Sequence, residues 1–158
     1  ALRQTSETKI WSKFINFYYG NSSNKLLANI DTVVENILSS NIGTSEKEGL
    51  IKQFYPIDKC PNELFTYILK NTGFIPQMPE IAKTLCLNSP ERISQIIFKS
   101  NNNPHIIRLL SPIVLEYYER IIDANNNSGM NGLLYFAQTV TPSVFNMMGI
   151  TNLFEKYI

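Results

Sequence analysis

An all-α fold is predicted by three features: prolines where helices should begin, apolar residues at helical spacing, and no sustained apolar/polar alternation of the kind a strand shows. Asn103-Pro104, Ser111-Pro112, Thr141-Pro142 and Ser89-Pro90 each place a side-chain oxygen directly before a proline. Cys60-Pro61 and Met78-Pro79 are weaker versions of the same signal. A proline in the first helical position loses no hydrogen bond, because that N–H has no partner there, and its fixed φ suits the helix. The preceding oxygen can accept from the next unpaired N–H groups.

In chain order, residues 1–5 offer one sizeable apolar anchor, Leu2, and are expected to form a disordered tail. A helix is expected over 6–19, stopped by Gly20-Asn21. A second, over 24–39, carries the clearest apolar stripe, and Leu26, Ile30, Val33, Val34 and Ile37 are expected to be buried. Ser45-x-x-Glu48 reads as a capping box that starts a helix near Glu46. Tyr55-Pro56 ends it, because a residue before proline avoids the α region. Further helices are expected from Pro61 to Gly73, Pro79 to Leu87 and Pro90 to Ser100. The longest helical stretch, 104–125, is interrupted by Pro112, where a break or sharp kink is expected. Residues 125–129 read as a loop, and helices over 131–138, 142–148 and from Asn152 complete the chain. The β-branched run Thr139-Val140-Thr141 is cut by Pro142.

About eight to ten short helices of unequal length do not suit an up-and-down four-helix bundle. They predict a compact orthogonal helical bundle or a short irregular α-superhelix. The proline starts are spaced by 18, 11, 14, 8 and 30 residues, so no fixed repeat period exists. One helical domain over 6–158 is expected, and because the chain opens on Ala1 rather than Met it reads as either processed or a fragment of a larger protein.

Composition narrows the function classes. The apolar share of 44% is ordinary, while the charged share of 17% is below the usual quarter. A net charge of +1 provides no global attraction to nucleic acid or to an acidic membrane. No apolar run approaches the ~20 residues of a membrane span, and no signal peptide is visible. The two cysteines, Cys60 and Cys86, read as free thiols of an intracellular protein, with Cys86 a small buried hydrophobe. The asparagine tracts at 101–103 and 125–127 read as compositional bias.

No catalytic set emerges. His105 is the single histidine, which excludes any multi-histidine metal site, and it sits in a first helical turn, where extra positive charge is disfavoured. Glu116, Glu119, Arg120 and Asp123 share one helix and read as a solvated face. The scattered glycines fit neither a dinucleotide-binding nor a phosphate-loop pattern. No enzyme activity, cofactor, metal or small-molecule ligand is expected.

Two surfaces remain. Lys83, Arg92, Lys99 and Arg108 oppose a single acid, Glu91, and form the one local basic excess. They support an alternative reading as a nucleic-acid or acidic-membrane binder, weakened by the lack of interleaved aromatics. The stronger candidate is the 6–19 helix. Trp11, Phe14, Phe17, Tyr18 and Tyr19 help make it apolar all round, and a single domain face cannot bury such a helix. Leu133 to Phe136 and Met147-Met148 raise the same question, with Tyr135, Met147 and Met148 next in line as interface residues. The function expected is therefore a protein–protein interaction module of adaptor type, binding another protein or itself through an exposed aromatic or apolar helix surface. A regulator or enzyme without a sequence-visible site is the remaining alternative.

Overall fold

The structure, a computed structural model, describes Lys13 and residues 23–157. The expected tail over 1–5, the 6–19 helix apart from Lys13, and the candidates Trp11, Phe14, Phe17, Tyr18 and Tyr19 lie outside the described residues. Among the described residues the fold is all-α, with no strand. In order these are α1 (Ser23–Ala28), α2 (Ile30–Ser39), α3 (Thr44–Phe54), α4 (Pro61–Lys70), a 3-10 turn (Thr72–Gln77), α5 (Pro79–Cys86), α6 (Pro90–Lys99), α7 (Pro104–Ala124), α8 (Asn126–Thr139), α9 (Pro142–Met148) and α10 (Ile150–Tyr157). The chain divides into two compact units, residues 1–81 and 82–158, with the boundary inside α5.

In the first unit, α2 packs against α3 and α4. Val33, Val34, Ile37 and Leu38 of α2 are buried with Leu50, Ile51 and Tyr55, and with Leu64, Tyr67 and Ile68 of α4. Leu26 and Ile30 are only half-buried, contrary to the expected stripe. The expected 24–39 helix is in fact two. The Tyr55 hydroxyl donates to the Leu26 carbonyl at 2.9 Å, and Asn29 N–H turns back to the same carbonyl at 3.2 Å. The helix resumes when Val33 N–H bonds the Asn29 carbonyl at 3.0 Å.

The capping box at Ser45 does not form. Gly43 is the N-cap of α3 and makes no side-chain bond. Glu48 instead sends one carboxylate oxygen to the backbone N–H groups of Glu80 and Ile81, at 3.1 Å each, in the first turn of α5. Its neighbour Lys47 donates to the Leu38 carbonyl near the end of α2 at 2.7 Å. Two adjacent side chains of opposite sign thus meet helix ends of opposite polarity.

In the second unit, Ile93, Ile96 and Ile97 of α6 join Ile106, Ile107, Leu110, Val114, Tyr118 and Ile122 of α7 in the core. Leu133, Phe136, Val144, Met148, Ile150 and Leu153 bring α8, α9 and α10 onto it. Five of the six prolines begin helices as expected: Pro61, Pro79, Pro90, Pro104 and Pro142. Asn103 and Thr141 act as side-chain caps, Asn103 accepting from His105 and Ile106 N–H and Thr141 from Val144 N–H.

Pro112 is the exception. No break occurs there: α7 runs from Pro104 to Ala124 with Pro112 inside it. Pro112 removes one bond to the Arg108 carbonyl, and both residues lie on the exposed face, where water can take the missing partner's place. Ser111 caps nothing, its hydroxyl donating back to the Ile107 carbonyl. The expected loop at 125–129 is also helix. Asn125 caps α8 by accepting from Ser128 N–H at 3.1 Å, and Gly129 is buried in its first turns. The 101–103 tract has a structural role as well. Asn101 and Asn102 adopt positive φ of 55° and 59° as the chain leaves α6, and Asn103 then caps α7.

Candidate functional site

An apolar surface lies on the second unit, where residues of α6, α7, α8, α9 and α10 line three adjoining hollows. The first, about 160 Å³, is walled by Tyr117 and Tyr118 of α7 and Tyr135 and Phe136 of α8. The second, about 210 Å³, holds Ile97, Phe98 and Val140. The third, about 390 Å³, is lined by Leu134, Ala137, Val140, Pro142, Phe145 and Phe154. Ser94 and Thr139 belong to both the first and second, and Val140 to both the second and third, so the surface is continuous. Glu91 is the single charged residue lining it.

Packing holds this surface in shape. Phe145 and Phe154 stack with ring centres 5.8 Å apart and planes 19° from parallel, making one side of the third hollow. Tyr118 meets Tyr117 edge-on at 5.1 Å and Phe136 at 5.8 Å. Burial pushes the Tyr118 phenol up to about 12, with Tyr117 and Glu91 adding to the rise, so the ring stays uncharged near neutral pH. Phe98 is 77% exposed and Tyr135 67% exposed, and Leu134 of the third hollow is also exposed. Such groups gain most free energy when another surface covers them.

The sequence-predicted candidates fare unequally. Tyr135 and Met147 are exposed, but Met148 is buried in the core and drops out as an interface residue. Val144 and Met148 are four apart on the inward face of α9, which turns Met147 outward. Phe98, the most exposed large apolar residue described, was missed. It sits one residue past the inward Ile93, Ile96 and Ile97, about 100° off that stripe.

Of the basic residues, Lys99 and Arg108 are exposed and Lys83 is half-buried. Arg92 is engaged internally, donating at 2.7 Å to the Leu85 carbonyl near the end of α5. Two of the three carboxylates of α7 are engaged with α10. Glu119 pairs with Lys156, and Asp123 accepts from the Tyr157 hydroxyl at 2.7 Å. Arg120 donates to the Asn88 side chain and lies over the Tyr117 ring. His105 is exposed.

Cys60 and Cys86 are free and buried. Burial raises both thiols, Cys86 to about 12. Among the described residues, no three His, Cys, Asp or Glu side chains gather as metal ligands, and no helix is long and apolar enough to cross a membrane. No protein-family model, curated protein or solved structure matches the chain.

Proposed function

We propose that the chain is a protein-interaction module whose partner docks across the three hollows at the α6–α8–α9–α10 surface. The observation that carries the reading is the exposure of Phe98, Leu134 and Tyr135 around a continuous, almost uncharged surface. Aromatic side chains beside apolar hollows are the usual anchors of protein interfaces. The basic segment 83–108 supports the nucleic-acid alternative less well, since the Arg92 guanidinium is turned to the chain's own backbone.

A photo-reactive phenylalanine analogue placed at Phe98 or at Tyr135 tests the reading in cells, with exposed Ser45 of α3 as the control position. Adducts of defined mass are expected at 98 and 135 and not at 45, and Leu134→Asp should abolish them while circular dichroism stays unchanged. Equal labelling at all three positions, or adducts indifferent to Leu134→Asp, would refute it.

A further inference from the structure

Tyr67 carries the one buried side-chain polar atom without a hydrogen-bond partner among the described residues. The residue is 1% exposed. A buried hydroxyl left unpaired costs stability, so its retention needs a reason. Tyr67 lines an open cleft of about 410 Å³ whose walls come from α1, α2 and α4 of the first unit. That volume falls in the ordinary range of small-molecule sites, roughly 300–1,000 Å³.

The walls divide by chemistry. Leu27 and Ile30 supply an apolar strip. Asp31 and Glu63 place two carboxylates on the rim against one ammonium, that of Lys70. Lys70 stands 3.9 Å from Asp31 with both side chains more than half exposed, a loose pair that screens little of the negative charge. Burial pushes the Tyr67 phenol up to about 12, with Glu35, one turn along α2, and Asp31 adding to the rise. A concave site with excess negative charge draws cations.

We propose that this cleft binds a small organic cation carrying an oxygen acceptor at the far end of a short alkyl chain from its ammonium, an amino alcohol being the simplest case. The ammonium lies between Asp31 and Glu63, the hydrocarbon chain covers Leu27 and Ile30, and the oxygen accepts the Tyr67 hydroxyl proton. Because that hydroxyl is covered, binding displaces a rim side chain, and the exposed Lys70, which takes no part in holding the ammonium, is long enough to turn aside.

Calorimetry on the 158-residue chain with three matched probes tests this. The probes are 6-amino-1-hexanol, hexylamine and 1,6-hexanediol at neutral pH, where both amines are charged. The amino alcohol should bind most tightly and the diol most weakly. Tyr67→Phe should weaken the amino alcohol by about threefold to tenfold, the value of one hydrogen bond, and leave hexylamine unchanged. Glu63→Gln should weaken both amines and spare the diol. Tyr67→Phe should melt no lower than the parent, since the hydroxyl makes no bond to lose. A diol that binds as well as the amino alcohol would overturn the proposal. So would discrimination that survives Tyr67→Phe, no binding of any probe at millimolar concentration, or a lowered melting temperature in Tyr67→Phe.

Discussion

Gly129 rests directly on the backbone of Ile122: a β-carbon at position 129 would stand 2.6 Å from both the nitrogen and the Cα of Ile122. That approach lets α8 fold back on α7 immediately after the Asn125 cap. Gly129→Ala should destabilise the second unit by about 1–3 kcal/mol, because backbone cannot turn aside. At Gly132 a β-carbon would meet only a Tyr118 ring atom at 3.3 Å, so Gly132→Ala should cost less. Urea unfolding of the two variants checks the order, and equal losses would count against it.

Within α2, Ile37 is fully buried and Ile30 only half so. Ile37→Ala should therefore cost about 2–5 kcal/mol. Ile30→Ala, with part of its side chain already in water, should cost clearly less. Thermal melts of both variants measure this, and a larger loss at Ile30 would contradict the burial described.

Glu48 should separate two effects. Glu48→Ala removes the carboxylate that accepts from the Glu80 and Ile81 N–H groups and should cost about 1–3 kcal/mol. Glu48→Gln keeps an oxygen in place to accept from both and should cost much less. Burial raises the Glu48 carboxyl above its usual value of 4.5, outweighing the two backbone bonds and Lys52 that lower it. The folded chain therefore holds this proton more tightly than the unfolded chain, and the Glu48 contribution to stability falls as pH rises through the region just above 4.5. The stability of Glu48→Gln relative to the parent should rise over that interval. A difference that stays flat from pH 4 to pH 7 would refute the assignment.

Asn103 accepts from His105 N–H at 2.9 Å and from Ile106 N–H at 3.4 Å, closing the start of α7. Asn103→Ala should cost about 1 kcal/mol, and Asn103→Asp should restore most of it. Chemical denaturation of the pair provides the measurement. An alanine variant as stable as the parent would show that the cap contributes nothing.

Rules confined to a few residues were the ones readable in advance. Pro104 and Pro142 with their capping neighbours begin helices because proline geometry and an adjacent oxygen act within one turn. Ser111-Pro112 presents the same kind of pairing, a side-chain oxygen before a proline, and what separates it is that Ser111 is buried with its hydroxyl turned back to the Ile107 carbonyl, a property of the assembled unit. Residues 125–129 have a loop-like composition, yet the glycine among them answers to Ile122 across the helix pair. Ser45 stands at capping-box spacing from Glu48, three residues away, whereas the true partners of Glu48 lie 32 and 33 residues on. The apolar surplus in Leu133 to Phe136 was visible, since four consecutive apolar side chains cannot face one way on a helix. That Leu134 and Tyr135 face outward depends on where α7 lies. Phe98 and the Tyr67 cleft depend in the same way on neighbours supplied by other helices.

The two cysteines divide evenly: Cys60 lies in the unit 1–81 and Cys86 in the unit 82–158, each buried and free. Only thiolate attacks an alkylating reagent, and burial both raises these thiols and shields them. In the native chain both should therefore be nearly silent, and each should react only when its own surroundings open. Alkylation followed by mass spectrometry thus turns Cys60 and Cys86 into built-in clocks that time the opening of each half without any engineered label.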